Sequence, residues 1–271
     1  MLGKLLKYDL RSMLKTISLF WAAALVLALV NHFTMNSLNF ESSNFLIDAF
    51  LHFIPLLLYI GIMIAMGVLT LLIVIQRFYN GLLKDEGYLM FTLPVKPWQL
   101  ITSKGLSAVI VSFISGLVAV VSIFVLAPWD MFDENAKEML RTILTFDGQL
   151  QIWQTVIILI SALLAILVNI AKSIYQVYAA IALGHQFQKH RVAMAFVMYM
   201  LLSVALSVVG TSILQTFATT DLDMQISHLF ETGVFGTITA GIWIVFLIGA
   251  VQLVIFHVIT ERLLAKRLNL E

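Results

Sequence analysis

Asn169, Lys172, Ser173 and Gln176 recur at intervals of three and four residues inside a long apolar run. A helix there gathers two amides, an ammonium and a hydroxyl within about 100° of one face. Ala162, Ala165 and Ala180 share that face. A charge at the centre of a membrane helix costs about 2.5–3.5 kcal/mol on insertion scales, so Lys172 asks for a reason. Three chemistries fit the stripe. It is a close helix–helix seam, the lining of a polar pathway, or the result of Lys172 snorkelling to the interface from a helix that starts at Ile152.

The other reactive residue types do not converge on a site. His185 and His190 stand five apart in a basic stretch beside Gln186 and Gln188, and His32, His52 and His257 fall near the ends of apolar runs, where a neutral interfacial histidine is ordinary. There is no His-Glu-x-x-His, no Gly-x-Ser-x-Gly and no Gly-x-Gly-Asp. The count of zero cysteines excludes a thiol nucleophile, a disulfide framework and a Cys-ligated metal. Asp221, Asp223, His228 and Glu231 read as a solvated acidic loop rather than a cation site. No Gly-x4-Gly-Lys-Ser/Thr phosphate loop is present. No catalytic residue and no metal site is therefore expected.

The elements that position these residues follow from composition. Of 271 residues, 61% are hydrophobic and 11% charged, with a net charge of +1; mean hydropathy is +1.00. A water-soluble globule of this size cannot hide so much apolar surface, and disorder needs the opposite composition. A nucleic-acid binder needs a basic field, which scattered charges summing to +1 do not make. About 20 apolar residues span a bilayer core. Six stretches qualify, near Ile17–Met35, Phe50–Ile75, Gly105–Ala127, Ile152–Leu183, Ala193–Leu214 and Thr237–Ile259. Of the 16 Lys and Arg residues, all but Lys137, Arg141 and Lys172 fall in the two termini and the 77–104 and 184–192 connections. The positive-inside rule then places both termini in the cytoplasm.

Within residues 2–15, Leu2, Leu5, Leu6, Leu10, Met13 and Leu14 fill one half of a helical wheel, and Lys4, Lys7, Arg11 and Lys15 the other. This pattern predicts an interfacial helix over 1–16, or else a basic topology signal alone. On the far side, residues 128–150 suggest an external helix or loop, with Asp133 as N-cap and Met139, Leu140, Ile143 and Leu144 on one face. Small pairs at Gly61/Ala65, Ser112/Gly116 and Gly236/Ala240 suggest close packing of helices.

Residues 77–104 form the longest connection on the basic side, yet it is not a polar loop. Leu82, Leu83, Tyr88, Leu89, Met90, Phe91 and Leu93 are interrupted by Lys84, Asp85 and Glu86, and Gly81 and Gly87 bracket that charged turn. Pro94 stops helix propagation and Pro97 can open a new helix at its first position. The pattern predicts a short amphipathic helix, a proline-punctuated turn and a helix entering the membrane. Its apolar face either meets a protein partner or packs on its own bundle and the headgroups.

Here the chain resembles the ABC-2-type exporter permeases. Glu86-Gly87-Tyr88-Leu89, then Thr92-Leu93-Pro94-Val95, then Lys104 resemble that family's Glu-x-Gly-Thr-Leu-Glu, Thr-Pro-Val/Ile and Lys between spans two and three. Met90 stands where the family has its second Glu, and the Gly-to-Pro spacing is shorter by about two. The resemblance implies an all-α polytopic membrane protein: six transmembrane helices, an N-terminal amphipathic interfacial helix and a cytoplasmic coupling helix. With no internal repeat and no low-complexity linker, the chain reads as one domain over 1–271. It implies docking of cytoplasmic ABC ATPase subunits on Leu82, Leu83, Lys84, Asp85, Glu86, Gly87, Tyr88 and Leu89. It further implies ATP and Mg on that partner with no cofactor on this chain, a second permease chain, and a bacterial cytoplasmic membrane with its lipids as surroundings. The apolar wall suggests a lipidic, amphipathic or peptide-like substrate, and nucleic acid is not an expected partner. A secondary transporter or a non-transporting scaffold are the competing readings. Against the first, the spans offer one Lys and few carboxylates for ion coupling.

Overall fold

Out of water the backbone must satisfy its own N–H and C=O groups, and a helix does so within one segment. The structure, a computed structural model, describes residues 2–37, 45–83, 97–127, 142, 150–187, 189–219 and 233–266. Among these residues there are six helices: α1 (Leu2–Ser37), α2 (Phe45–Leu83), α3 (Pro97–Leu126), α4 (Ile152–Gly184), α5 (Arg191–Thr219) and α6 (Gly233–Lys266). Each is long and apolar enough to cross a bilayer. The chain is a six-helix polytopic membrane protein. Many large apolar side chains are exposed, as Leu57, Ile64 and Leu71 are on α2 and Val204 and Val208 on α5, while Ser103, Ser107, Ser115 and Ser122 are buried along α3. That inversion of the water-soluble pattern is what lipid as solvent demands.

Two expected elements need correction. Among the described residues no N-terminal amphipathic helix stands apart from the six: residues 2–16 are the first turns of α1, which runs unbroken to Ser37. No Pro occurs in α1 and its one Gly is Gly3, so nothing ends the helix where it would have to turn onto a membrane surface. At about 1.5 Å per residue α1 is about 54 Å long, well beyond a core of about 30 Å. Likewise, no coupling helix separate from the six stands among the described residues. Leu82 and Leu83 are the last residues of α2, and Gly81, expected to bracket a turn, lies within that helix. Residues 84–96 lie outside the described residues. Pro97 opens α3, as its sequence position predicts.

The chain divides into two compact units, one of Met1–Arg77 with Leu106–Arg141 and one of Phe78–Gly105 with Thr142–Glu271. In the first, polar groups fasten three helices. The Trp21 Nε1 and the Thr70 hydroxyl both donate to the Ser115 hydroxyl, at 3.0 and 3.2 Å. Tyr59 and Ser122 share a hydrogen bond of 2.9 Å. The buried Asn31 amide donates to the carbonyls of Leu27 and Pro55, both at 2.9 Å. At the basic end Arg77 Nε and one terminal nitrogen both donate to Asp9 Oδ1 at 2.7 Å. Of the small pairs picked from sequence, open space surrounds a Cβ placed on Gly61 or Gly116, whereas Ser115 beside Gly116 is buried; Gly236, in the second unit, is buried.

In the second unit α4 packs against both α5 and α6. A Cβ on Gly184 would stand 2.7 Å from the Ala195 Cβ and nearer still to its backbone, so glycine permits the α4–α5 approach. The turn between them ends at His190, with φ of 59°, whose carbonyl accepts the Met194 N–H at 2.9 Å. A β-carbon is disfavoured in that left-handed conformation. We expect His190→Gly to stabilise the protein by about 0.5–1 kcal/mol. Equilibrium unfolding in detergent checks this, and a loss of stability would contradict it.

Candidate functional site

The described residues nearest the family-like segment are the last turn of α2 and the first turns of α3. Both are apolar and helix-continuing in sequence, so both bury themselves on α4. Phe78, Leu82, Leu100 and Ile101 are buried, as are Tyr175, Tyr178 and Ala179 of α4. Phe78 and Tyr178 stack with centroids 3.9 Å apart and planes 12° from parallel. The Tyr178 hydroxyl donates to the Lys104 carbonyl at 3.4 Å. Tyr175 meets Tyr178 edge-on at 5.7 Å and His257 of α6 at 5.2 Å.

Two glycines make this packing possible. The Lys104 side chain lies across Gly81, where a Cβ would come within 2.9 Å of Lys104 Cε. Gly105 occupies the space under the Tyr175 ring, where a Cβ would come within 2.6 Å of Cζ. Lys104 is 2% exposed. Glycine here is a matter of room, since both residues sit in ordinary helix.

Of the expected docking residues, Leu82 and Leu83 are buried at the end of α2. Lys84, Asp85, Glu86, Gly87, Tyr88 and Leu89 lie outside the described residues, as do Asp221, Asp223, His228 and Glu231 and most of 128–150. The intramembrane stripe is described in full. Helix α4 begins at Ile152, where the Gln154 side chain accepts the Gln151 N–H at 2.8 Å. Trp153 hydrogen-bonds Gln151 and meets Phe235 of α6 edge-on at 5.6 Å, the place of an interfacial aromatic. Lys172 then stands about 30 Å along the axis, one bilayer core from the start. It is half-buried. Gln176 is buried and donates to the Ser203 hydroxyl of α5 at 2.9 Å. Asn169 donates to the Ala165 carbonyl at 2.9 Å, and Gly249 of α6 leaves 3.4 Å between a notional Cβ and its amide. Ser173 is exposed and returns its hydroxyl to the Asn169 carbonyl at 2.9 Å. The stripe thus engages α5 at one residue and α6 at another.

Asp9, Ser115 and the Phe78–Tyr178 pair escaped sequence reading, though the first two left a signal. Asp9 is four residues from Leu5 and from Met13, so it sits on the apolar half of the wheel, where an acid needs a partner. The buried serines of α3 mark a seam that the Ser112/Gly116 pair passes by one residue at Ser115. Nothing local marks the aromatic stack, because it joins residues 100 apart in sequence.

His185 caps α4, its N–H donating to the Ile181 carbonyl at 2.9 Å. Its ring lies 6.0 Å from that of Tyr79. Burial first, and then the nearby Arg191 charge, lower its pKa from the usual histidine value. The unfolded chain therefore takes up the proton at a higher pH than the folded one. Stability falls as pH drops below about 6.5 and levels off below the lowered folded pKa. His185→Gln is expected to flatten that part of the profile; an unchanged profile would assign the effect elsewhere.

Among the described residues no group of three or more His, Asp or Glu could hold a metal ion. No protein-family model, curated protein or solved structure matches the chain.

Proposed function

We propose that this chain is the membrane-spanning permease subunit of an ATP-driven exporter of the ABC-2 type. The observation that carries the reading is the sequence Glu86-Gly87-Tyr88-Leu89, Thr92-Leu93-Pro94-Val95 and Lys104, set between the second and third of six membrane-crossing helices. The chain has no phosphate loop, so ATP and Mg belong to a separate cytoplasmic ATPase subunit, and this chain is not itself an enzyme. The partner docks on residues 84–89, while Leu82 and Leu83 anchor the segment from within. Hydrolysis biases two arrangements of the helices and so exposes the substrate path to each side in turn. A second permease chain, identical or related, completes the path. Both termini lie in the cytoplasm of a bacterial cell, and the cargo is lipidic, amphipathic or peptide-like.

Affinity purification of the tagged chain in mild detergent, with mass spectrometry, tests this. A stoichiometric P-loop ATPase, crosslinked within 84–96, is the expected result. Joint replacement of Glu86, Gly87 and Tyr88 should weaken its association and its stimulation. A chain that purifies alone after crosslinking in intact membranes, or that transports in proteoliposomes without ATP, overturns the reading.

A further inference from the structure

The segment proposed to meet the ATPase has two roots, Phe78–Leu83 and Pro97–Gly105, and both belong to the compact unit that contains α4, α5 and α6. From the arrangement of these roots we infer that α4 is the helix through which the partner acts, with Phe78, Gly81, Lys104 and Tyr178 as the rigid link; this rests on the exporter reading above.

The argument is one of packing. Both aromatic partners are essentially without exposure, Phe78 at 0% and Tyr178 at 1%. A stack 3.9 Å deep and nearly parallel leaves neither ring a second position, because a close-packed interior has no void to move into. The root on α2 is held to α4 by that stack. The root on α3 is held to the same tyrosine by its hydroxyl on the Lys104 carbonyl, and to α4 again by Gly105 beneath Tyr175. The two roots are held to each other where the Lys104 stem crosses Gly81. Three helices therefore close a ring of contacts at one level, and a push on the intervening residues cannot shift either root without shifting α4. Tyr178 lies six residues beyond Lys172 and two beyond Gln176 on the same helix. A displacement of the root is thus delivered along a stiff rod to the residues of the polar stripe.

The test uses the full chain with its co-purified ATPase, and exploits the absence of native cysteine. Tyr178→Ala is expected to keep the ATPase bound but to lower its permease-dependent stimulation about tenfold. Tyr178→Phe, which keeps the stack, is expected to retain most of it. Because the alanine variant can fail by misfolding, a second variant carries the decision. Phe78→Cys with Tyr178→Cys should be uncoupled as isolated, and a short bis-maleimide joining the two thiols should restore stimulation. Because a crosslink also stabilises, the unfolding midpoints of the open and joined forms are read in parallel, and the supporting result is restored stimulation in a pair whose open form is already folded at the assay temperature. Full stimulation in Tyr178→Ala, or a crosslinked pair as inactive as the open one, overturns the inference. A wild-type chain that stimulates no ATPase fails the exporter reading instead, and the two failures are told apart by that control.

Discussion

Arg77→Ala is expected to destabilise the folded chain by about 3–5 kcal/mol, the cost of breaking a buried ion pair by removing one partner. The reason lies with the partner. The Asp9 side chain is 5% exposed and Arg77 29%, and both Arg77 nitrogens converge on a single Asp9 oxygen at 2.7 Å. Removing the guanidinium takes the ion-pair partner from a carboxylate that is only 5% exposed. Removing the carboxylate strands a guanidinium that is already part exposed and can snorkel, so Asp9→Ala is expected to cost less. Adding Asp9→Asn to Arg77→Ala should recover part of the loss, because a neutral amide needs no counter-ion. Unfolding free energies in a detergent series measure all of these. An Arg77→Ala variant within 0.5 kcal/mol of wild type, the scatter of an ordinary surface substitution, would show that the pair is not buried as described.

One residue further on, Phe78→Ala is expected to cost about 3–5 kcal/mol by a different mechanism. The lost ring leaves a cavity over Tyr178 that rigid neighbours on α3 and α4 cannot fill. Adjacent helical residues project about 100° apart, so Arg77 and Phe78 address different neighbours from one turn of α2. The distinguishing result is the response to Asp9→Asn, which should offset part of Arg77→Ala and none of Phe78→Ala. Phe78→Leu, which refills much of the volume, should recover more than half of the loss. If Phe78→Ala costs less than about 1 kcal/mol, the stack is not a fixed contact and the proposed route into α4 falls with it.

Much of the architecture was legible because a bilayer imposes so few solutions. A run such as Phe53–Leu83 has to be a helix, since no other single segment satisfies its backbone out of water. The start of α3 at Pro97 was readable because proline tolerates only the first turn. The helix ends were less so. The sequence pattern of residues 2–15 suits an interfacial helix, but amphipathicity states which face is apolar and not whether the axis bends. With no breaker before Ser37 the helix simply continues. Gly81 misled in the same way: a glycine that punctuates a turn elsewhere here makes room for the Lys104 stem.

The sequence by itself determined the number of membrane helices, the face of α4 that carries Asn169, Lys172, Ser173 and Gln176, and the missing phosphate loop that makes a separate ATPase necessary to the exporter reading. Those are properties of composition and of a 3.6-residue period, and they need no knowledge of neighbours. Only the tertiary structure decided that Asp9 meets Arg77, that Ser115 rather than Gly116 faces the seam, and that Phe78 and Lys104 close on Tyr178. Each of these joins residues tens of positions apart on different helices. In a chain that is apolar almost everywhere, hydrophobicity does not say which helix lies against which; side-chain volume, hydrogen-bond partners and the room left by a glycine do.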